Sequence, residues 1–204
     1  MDTYANDLAE LCVHLDLNDA VHVGHSTGGG EVVRYMGRHG CDRVGKAVLI
    51  GAIPPLMLKT LANPNGTPLS AFDAIRAGVE ADRSQFFMDL SMGFYGFNRP
   101  GAKVSQGVRD AFWRLGMQAG MPASYYCIKA FSETDFTQDL QRIDVPTLIL
   151  HGADDQVVPI AASAELSVKI LKHAELVVIP GGSHGMCTTS KARINAELER
   201  FIAA

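Results

Sequence analysis

A serine between glycines, placed where an apolar strand passes into a helix, constrains the fold of this chain more than any other feature. Residues 24–28 read G-H-S-T-G, and the preceding residues 20–23 are β-branched enough to form a buried strand. Residues 27–39 carry apolar side chains at helical spacing and end at Gly40, which predicts a helix. Ser26 is therefore predicted to lie on a sharp turn, with the glycines preventing collisions with the neighbouring strand and helix.

Two other interpretations of this glycine-rich turn are weaker. A phosphate-binding loop needs a Lys-Ser or Lys-Thr pair, and a dinucleotide site needs G-x-G-x-x-G spacing. Residues 24–30 (G-H-S-T-G-G-G) match neither pattern. An incidental serine in a strand-to-helix turn is the remaining alternative, and it predicts no partner residues elsewhere in the chain.

Length and charge narrow the class of protein. A chain of 204 residues can bury a sizeable core, and it is expected to form one domain with an insertion. The net charge of −4 comes from 22 acidic and 18 basic residues without a long run of either sign, so no nucleic-acid partner is expected. No leader-like segment and no apolar run of about 20 residues is present, which predicts a soluble, cytoplasmic protein without a membrane partner.

Predicted strands and helices alternate at both ends of the chain and give way to short helices in the middle. Residues 47–50, 147–150 and 176–179 are continuous apolar runs, as a parallel sheet covered on both faces requires. The middle contains the breakers N-P-N-G and N-R-P-G. We predict an α/β fold, a parallel sheet flanked by helices. The predicted division is a core of residues 1–53 and 144–204 and an inserted helical cap of residues 54–143.

Three turns after predicted strands carry the groups that nucleophilic hydrolysis needs. Ser26 follows the first strand, residues 154–155 (Asp-Asp) follow a later one, and His184 follows the last. Such groups gather beyond the carboxyl ends of parallel strands. A serine hydroxyl is a weak nucleophile, so a histidine must remove its proton and a carboxylate must orient that histidine. The chain order Ser, Asp, His is that of the α/β-hydrolases and differs from those of chymotrypsin and subtilisin.

Two adjacent aspartates compete for the orienting role. Residues 151–155 read H-G-A-D-D, which resembles the H-G-x-x-D pattern of other α/β-hydrolases and favours Asp155. Asp154 is then expected to form the turn. The predicted catalytic residues are Ser26, Asp155 and His184, with the backbone N–H of Thr27 as an oxyanion-hole donor and His25 and His151 as supporting neighbours.

Three stretches make a resemblance to a known family specific. They are G-H-S-T-G-G-G-E at 24–31, G-F-N-R-P-G-A-K at 96–103 and A-F-S-E-T-D-F at 130–136. These stretches resemble the cofactor-free haloperoxidases, also called non-haem chloroperoxidases or perhydrolases, and the resemblance covers essentially the whole chain. Such proteins are similar to carboxylesterases. Their serine forms an acyl-enzyme, from which water releases an acid and hydrogen peroxide releases a peracid that oxidises halide.

The resemblance implies a serine hydrolase of small carboxylic esters with perhydrolase and haloperoxidase activity. It implies no metal and no organic cofactor. The implied partners are small molecules, namely an ester or a carboxylic acid together with hydrogen peroxide. Related proteins often assemble as homo-oligomers, so the resemblance leaves the oligomeric state open, as it does the acyl and alcohol specificity.

Complete members of that family have several strands and a helix ahead of the strand that leads to the serine. Here one helix and about twenty residues precede it, so the first strands of the sheet are expected to be absent. The loop that supplies the second oxyanion donor is expected to be absent with them, and one such donor is typically worth about 10²–10³ in rate. We therefore expect an inactive or weakly active chain, which full esterase turnover by monomeric protein would contradict.

A second hypothesis comes from another class of protein. A non-catalytic binding protein could keep this scaffold and hold an apolar ligand under the cap. The intact Ser, Asp and His argue against it, and the missing oxyanion loop argues for it. Among enzymes, lactonases, hydroxynitrile lyases and C–C hydrolases share the same three catalytic residue types.

Overall fold

The computed structural model describes residues 1–102 and 104–204, and Lys103, the last residue of the stretch 96–103, lies outside them. Four parallel strands form one sheet in the described residues, and their order in space is their order in the chain. The strands are β1 (Ala20–His25), β2 (Val44–Ile50), β3 (Thr147–Gly152) and β4 (Ala174–Ile179).

Helices cover the sheet and fill the connection between β2 and β3. Helix α3 is kinked at Asp82, whose φ of −155° and ψ of 87° are not helical. No helix in the described part of the chain is long and apolar enough to cross a membrane. The helices are α1 (Asp2–His14), α2 (Thr27–His39), α3 (Leu69–Phe94), α4 (Gln106–Gln118), α5 (Met121–Glu133), α6 (Thr137–Arg142), α7 (Ala164–Ile170), α8 (Met186–Thr189) and α9 (Lys191–Ala203).

The central strands are buried on both faces. In β2, Ala47 and Leu49 belong to one hydrophobic cluster, whereas Val48 and Ile50 belong to another on the opposite face. Burying one such aliphatic side chain contributes roughly 1.5–3 kcal/mol, so neither face tolerates a polar substitution. The expectation of a parallel sheet flanked by helices is confirmed. The clusters contain Val33 and Met36 from α2 on one side, and Ile194 and Phe201 from α9 on the other.

All four predicted strands are present, and the structure extends them beyond the apolar runs. β1 continues through Gly24 and His25, which pair with Leu49 and Ile50 of β2. Residue type does not signal this extension, because backbone pairing with the neighbouring strand determines where a strand ends. The extension matters for function, since it carries the chain directly into Ser26.

The predicted cap of residues 54–143 contains helices α3 to α6. Helix α3 packs against α4 and α5, whereas α6 packs against α2 of the core layer. The division between core and cap stays a prediction, and the packing of α6 places the last part of the predicted cap beside the core.

β1 forms one edge of the sheet in the described residues. Val23 is half exposed on it, and Leu11 and Val13 of α1 and Leu15 just after that helix are exposed as well. Val23 is the one exposed residue of β1, so the edge is apolar at that position. Such an edge is a template for pairing with another strand.

Candidate active site

Ser26 joins β1 to α2 in a strained backbone conformation. Its φ of 56° and ψ of −122° lie outside the regions that L-residues normally adopt, at a cost of about 1–2 kcal/mol. The Ser26 N–H donates to the carbonyl of Ile50 over 2.9 Å, and the Ser26 carbonyl accepts from the N–H of Gly29 over 3.0 Å. These bonds hold the serine at the carboxyl edge of the sheet.

The glycines around Ser26 are needed for close packing, but not at every position of the motif. A Cβ on Gly24 would overlap the backbone of Gly28 and Gly29, and a Cβ on Gly29 would overlap the side chain of Ala52. A Cβ on Gly28 would meet no described atom within 4 Å. The predicted collision is therefore found at Gly24 and is wrong at Gly28, because Gly29 makes the close approach on the helix side.

The side chains of Ser26, His184 and Asp155 form a chain of two hydrogen bonds. Ser26 Oγ lies 2.9 Å from His184 Nε2, and His184 Nδ1 lies 2.7 Å from Asp155 Oδ2. A carboxylate can only accept, so Nδ1 carries the ring proton and Nε2 is free to accept from the serine hydroxyl. The structure thus brings together the three side chains that are predicted from the sequence to be catalytic.

Asp155, and not Asp154, holds the turn after β3. Asp155 Oδ1 accepts the backbone N–H groups of Val157 and Val158 over 2.9 and 2.8 Å, so its other oxygen faces the imidazole. Asp154 instead forms an ion pair with Arg99, at 2.7 Å for each of two hydrogen bonds. Asp154 does lie in the turn, which the N–H of Asp155 closes by donating to the carbonyl of Gly152 over 3.3 Å. The prediction that its carboxylate forms the turn is wrong, because the carboxylate of Asp155 takes the turn's N–H groups.

His25 and His151 lie beside this chain of hydrogen bonds. His25 Nε2 donates to the backbone carbonyl of His184 over 3.0 Å, and the two rings are 4.8 Å apart between centroids. His151 Nε2 donates to the carbonyl of Val158 over 2.8 Å and lies 3.5 Å from Asp155 Oδ2. Burial lowers the pKa of both side chains, and the ring of His184 lowers the pKa of His25 further. Both neighbours are therefore neutral at pH 7.

The free energy of unfolding is expected to decrease as the pH falls below about 6.5. Burial lowers the pKa of His22, His25 and His151 below the ordinary value of 6.5, so the unfolded chain binds more protons there than the folded chain. Linkage then removes roughly 1 kcal/mol per pH unit for each histidine until its folded-state pKa is reached. Urea denaturation at pH 7.5, 6.5 and 5.5 measures the slope.

His151→Gln keeps a donor for the carbonyl of Val158 and removes the titration, so the slope is expected to become shallower. His14→Gln, at the exposed end of α1, is the matched control and is expected to keep the original slope. Equal slopes in the original protein and both variants would contradict the prediction.

Phe94, in the last turn of α3, contacts the site and is not among the residues predicted from the sequence. Its ring is perpendicular to the ring of His184, at 88° and 4.8 Å between centroids. Its carbonyl accepts the N–H of Gly185 over 2.7 Å. No sequence pattern distinguishes Phe94 from the other aromatic residues of the predicted cap, since helical spacing does not show which side chain faces the site.

Thr27 is the first residue of α2, so its N–H has no acceptor one turn earlier in that helix. The N-terminus of a 13-residue helix also favours negative charge nearby. An N–H at the start of a helix and next to the serine suits the predicted oxyanion donor.

A bound metal or cofactor would need a cluster of ligating side chains or a cavity near the site. Within residues 1–102 and 104–204, no group of three or more His, Cys, Asp and Glu side chains is arranged to bind a metal ion. A cavity of about 480 Å³ lies beside the site. Its lining includes Asp154 and Ser183, the chain neighbours of Asp155 and His184, and Arg99 and Lys191. Ser26, Asp155 and His184 are not among the residues that line this cavity.

Known proteins resemble this chain along nearly its whole length. The family model of the α/β-hydrolase fold matches residues 1–189. A non-haem haloperoxidase of Rhodococcus erythropolis is 61% identical over 203 residues, which are 99% of this chain and 74% of that protein. A bifunctional esterase/perhydrolase of Acinetobacter calcoaceticus is 53% identical over 203 residues, with the same coverage of 99% and 74%.

A solved structure gives the same result. The bromoperoxidase of Bacillus anthracis matches with a TM-score of 0.96 and 35% identity, over 100% of this chain and 74% of that one. The fold class and the family resemblance predicted from the sequence are confirmed. The chain belongs to the α/β-hydrolase fold family and, within it, to the non-haem haloperoxidases and perhydrolases.

Proposed function

We propose that this protein is a serine hydrolase of small carboxylic esters that also transfers the acyl group to hydrogen peroxide. The observation that carries the proposal is the pair of hydrogen bonds, 2.9 and 2.7 Å long, that link Ser26 to His184 and His184 to Asp155. Relatives named haloperoxidase and esterase/perhydrolase support the same activity, so a non-catalytic binding protein is not favoured.

In the proposed acylation step, Ser26 Oγ forms a bond to the carbonyl carbon of the ester. His184 Nε2 accepts the hydroxyl proton, and the carbonyl π electrons move onto oxygen to give an oxyanion. Asp155 stabilises the imidazolium through the Nδ1–H bond. The ester C–O bond then breaks, and the departing alcohol takes the proton from Nε2, which leaves an acyl group on Ser26.

The proposed oxyanion donor is the backbone N–H of Thr27. It is fixed at the helix start before the substrate arrives, so it does not have to reorganise when negative charge develops. One preorganised donor of this kind typically contributes roughly 2.7–4 kcal/mol of transition-state stabilisation.

The proposed deacylation step decides the product. His184 removes a proton from water, whose oxygen attacks the acyl carbon, and Ser26 leaves with that proton while a carboxylic acid is released. When hydrogen peroxide is the nucleophile, the same proton transfers release a peracid. The peracid oxidises halide in solution, with loss of one oxygen atom to the halide and return of the carboxylate.

The proposal predicts that acid and peracid arise from one acyl-enzyme. With a short p-nitrophenyl ester and increasing hydrogen peroxide, the ratio of peracid to acid is expected to rise in proportion to the peroxide concentration. Chromatography of both products measures this ratio. Peracid formed by Ser26→Ala protein, or halide oxidation that needs neither ester nor carboxylic acid, would contradict a common acyl-enzyme.

A further inference from the structure

We infer that residues 94–99, here called the clamp segment, position Asp155 against His184, with Asn98 and Arg99 as positioning residues. The clamp segment runs from the last residue of α3 into the connection to α4. Its role depends on the proposed function, because it acts on the same chain of hydrogen bonds. Neither residue touches the proton-transferring atoms.

Asn98 and Arg99 hold the two chain neighbours of Asp155. Arg99 Nε and Nη2 donate to Asp154 Oδ2 and Oδ1, both over 2.7 Å. Asn98 and Gln156 exchange two amide hydrogen bonds of 3.0 and 3.1 Å. The loop that follows β3 and carries Asp155 is here called the acid loop. Two consecutive residues of the clamp segment thus bind this loop on both sides of the proposed orienting carboxylate.

The ion pair between Arg99 and Asp154 fixes the orientation of the two side chains and adds little to the free energy of unfolding. The Arg99 guanidinium lowers the pKa of Asp154, so the aspartate stays charged at neutral pH. The two side chains are 50% and 34% exposed, and pairs this exposed contribute little to the free energy of unfolding. A bidentate pair nevertheless fixes the relative orientation of its two planar groups.

The clamp segment also contacts the loop that follows β4 and carries His184, here called the histidine loop. The carbonyl of Phe94 accepts the N–H of Gly185 over 2.7 Å, and the ring of Phe94 packs edge-on against the ring of His184. The same six residues therefore contact both of the loops that carry the proposed catalytic relay, the hydrogen-bonded chain of Ser26, His184 and Asp155. The relay works only if these two loops keep their relative position.

The clamp segment is itself held in one conformation. The N–H of Phe97 donates to the carbonyl of Met92 over 2.8 Å, and the N–H of Arg99 donates to the carbonyl of Gly96 over 3.0 Å. The guanidinium of Arg109 lies over the ring of Phe97, 4.8 Å from its centroid. A fixed segment can transmit a fixed position to the loops that it contacts.

Backbone hydrogen bonds also hold the acid loop against the histidine loop, and they limit the loss of activity expected when the clamp side chains are removed. The N–H of Asp154 donates to the carbonyl of Gly182 over 3.0 Å, and β3 pairs with β4 up to the start of both loops. These backbone bonds remain when the clamp side chains are removed. A small displacement of the carboxylate is therefore expected rather than loss of the site, and displacement of about 1 Å costs up to roughly 10²-fold in rate.

The double variant Asn98→Ala/Arg99→Ala is expected to lower kcat for a short p-nitrophenyl ester about tenfold, with KM within twofold of the original value. The low-field proton NMR signal of the His184 Nδ1–H is expected to shift or broaden. Arg200→Ala is the matched control, since Arg200 is 49% exposed and pairs with Glu175 and Glu197. It is expected to leave kcat and the signal unchanged.

Substitutions at Arg99 and Asp154 test their ion pair directly. They also keep the inference testable if the Asn98→Ala/Arg99→Ala variant does not fold. Arg99→Ala, Asp154→Ala and their combination are expected to lower kcat by the same factor, because each one breaks the same pair. Arg99→Lys is expected to recover part of the loss. Unchanged kcat, additive losses, or a rise in KM alone would overturn the clamp role.

Labelling with a fluorophosphonate separates failure of this inference from failure of the proposed function. If Ser26→Ala removes the label and the clamp variants react at the original rate, the clamp role alone is wrong. If Ser26→Ala protein is still labelled at the same rate, the proposed function is wrong and the clamp role falls with it.

Discussion

Ser26→Ala is expected to abolish esterase turnover, with a decrease in kcat of roughly five to six orders of magnitude. The substitution removes the only atom of the proposed relay that bonds to the acyl group, and His184 then has no hydroxyl to deprotonate. Turnover of a short p-nitrophenyl ester measures the loss of activity. Mass spectrometry after treatment with a fluorophosphonate is expected to show no adduct on the variant.

The Ser26→Ala variant is expected to fold as the original protein does. Alanine meets the same backbone strain at a φ of 56° as serine, so the turn gains no new penalty. Ser124→Ala on α5, whose hydroxyl bonds only to the carbonyl of Gly120 among the described residues, is a matched control. It is expected to keep both turnover and adduct. An adduct on Ser26→Ala protein would place the nucleophile elsewhere.

Asp155→Asn is expected to lower kcat about 10⁴-fold while leaving the fold intact. The N–H groups of Val157 and Val158 both point at one oxygen of this side chain, so they hold the asparagine with its oxygen towards them. The amide NH₂ then faces His184 Nδ1. Because this NH₂ can only donate, Nδ1 must become the acceptor and lose its proton. The ring proton moves to Nε2, and the histidine can no longer accept a proton from Ser26.

Asp154→Asn is the matched substitution one residue earlier. It keeps the shape of the side chain and removes the charge that pairs with Arg99, so the decrease in kcat is expected to be tenfold at most. Steady-state kinetics of the two variants at pH 7.5 compare them directly. A larger loss in Asp154→Asn than in Asp155→Asn would reverse the assignment of the orienting carboxylate.

The fold was predictable because its signals are local. Continuous apolar runs identify strands that are buried on both faces, and glycines beside Ser26 identify a sharp turn. The chain order of serine, aspartate and histidine then places the three turns at one edge of the sheet. Backbone pairing with a neighbour determines where β1 and β3 end, and no residue type records that pairing.

The roles of the two aspartates were only partly predictable. A known pattern favoured Asp155 over Asp154, and the side-chain bonds of each depend on groups that the pattern does not include. Asp154 pairs with Arg99, which lies 55 residues earlier in the chain. Spacing along the chain cannot indicate such a contact, because it forms only when the connection between β2 and β3 folds back over the acid loop.

Periodicity and turn chemistry act between near neighbours, so the class of fold, the family and the three residue types of the proposed catalytic hydrogen-bond chain were predictable without a structure. Three features came from the three-dimensional packing instead: the carboxylate oxygen that faces His184, the contact of Phe94 with its ring, and the hydrogen bonds between the clamp segment and the acid loop. These features depend on distances of a few ångströms between residues far apart in the chain, and such distances are set by packing of the whole domain.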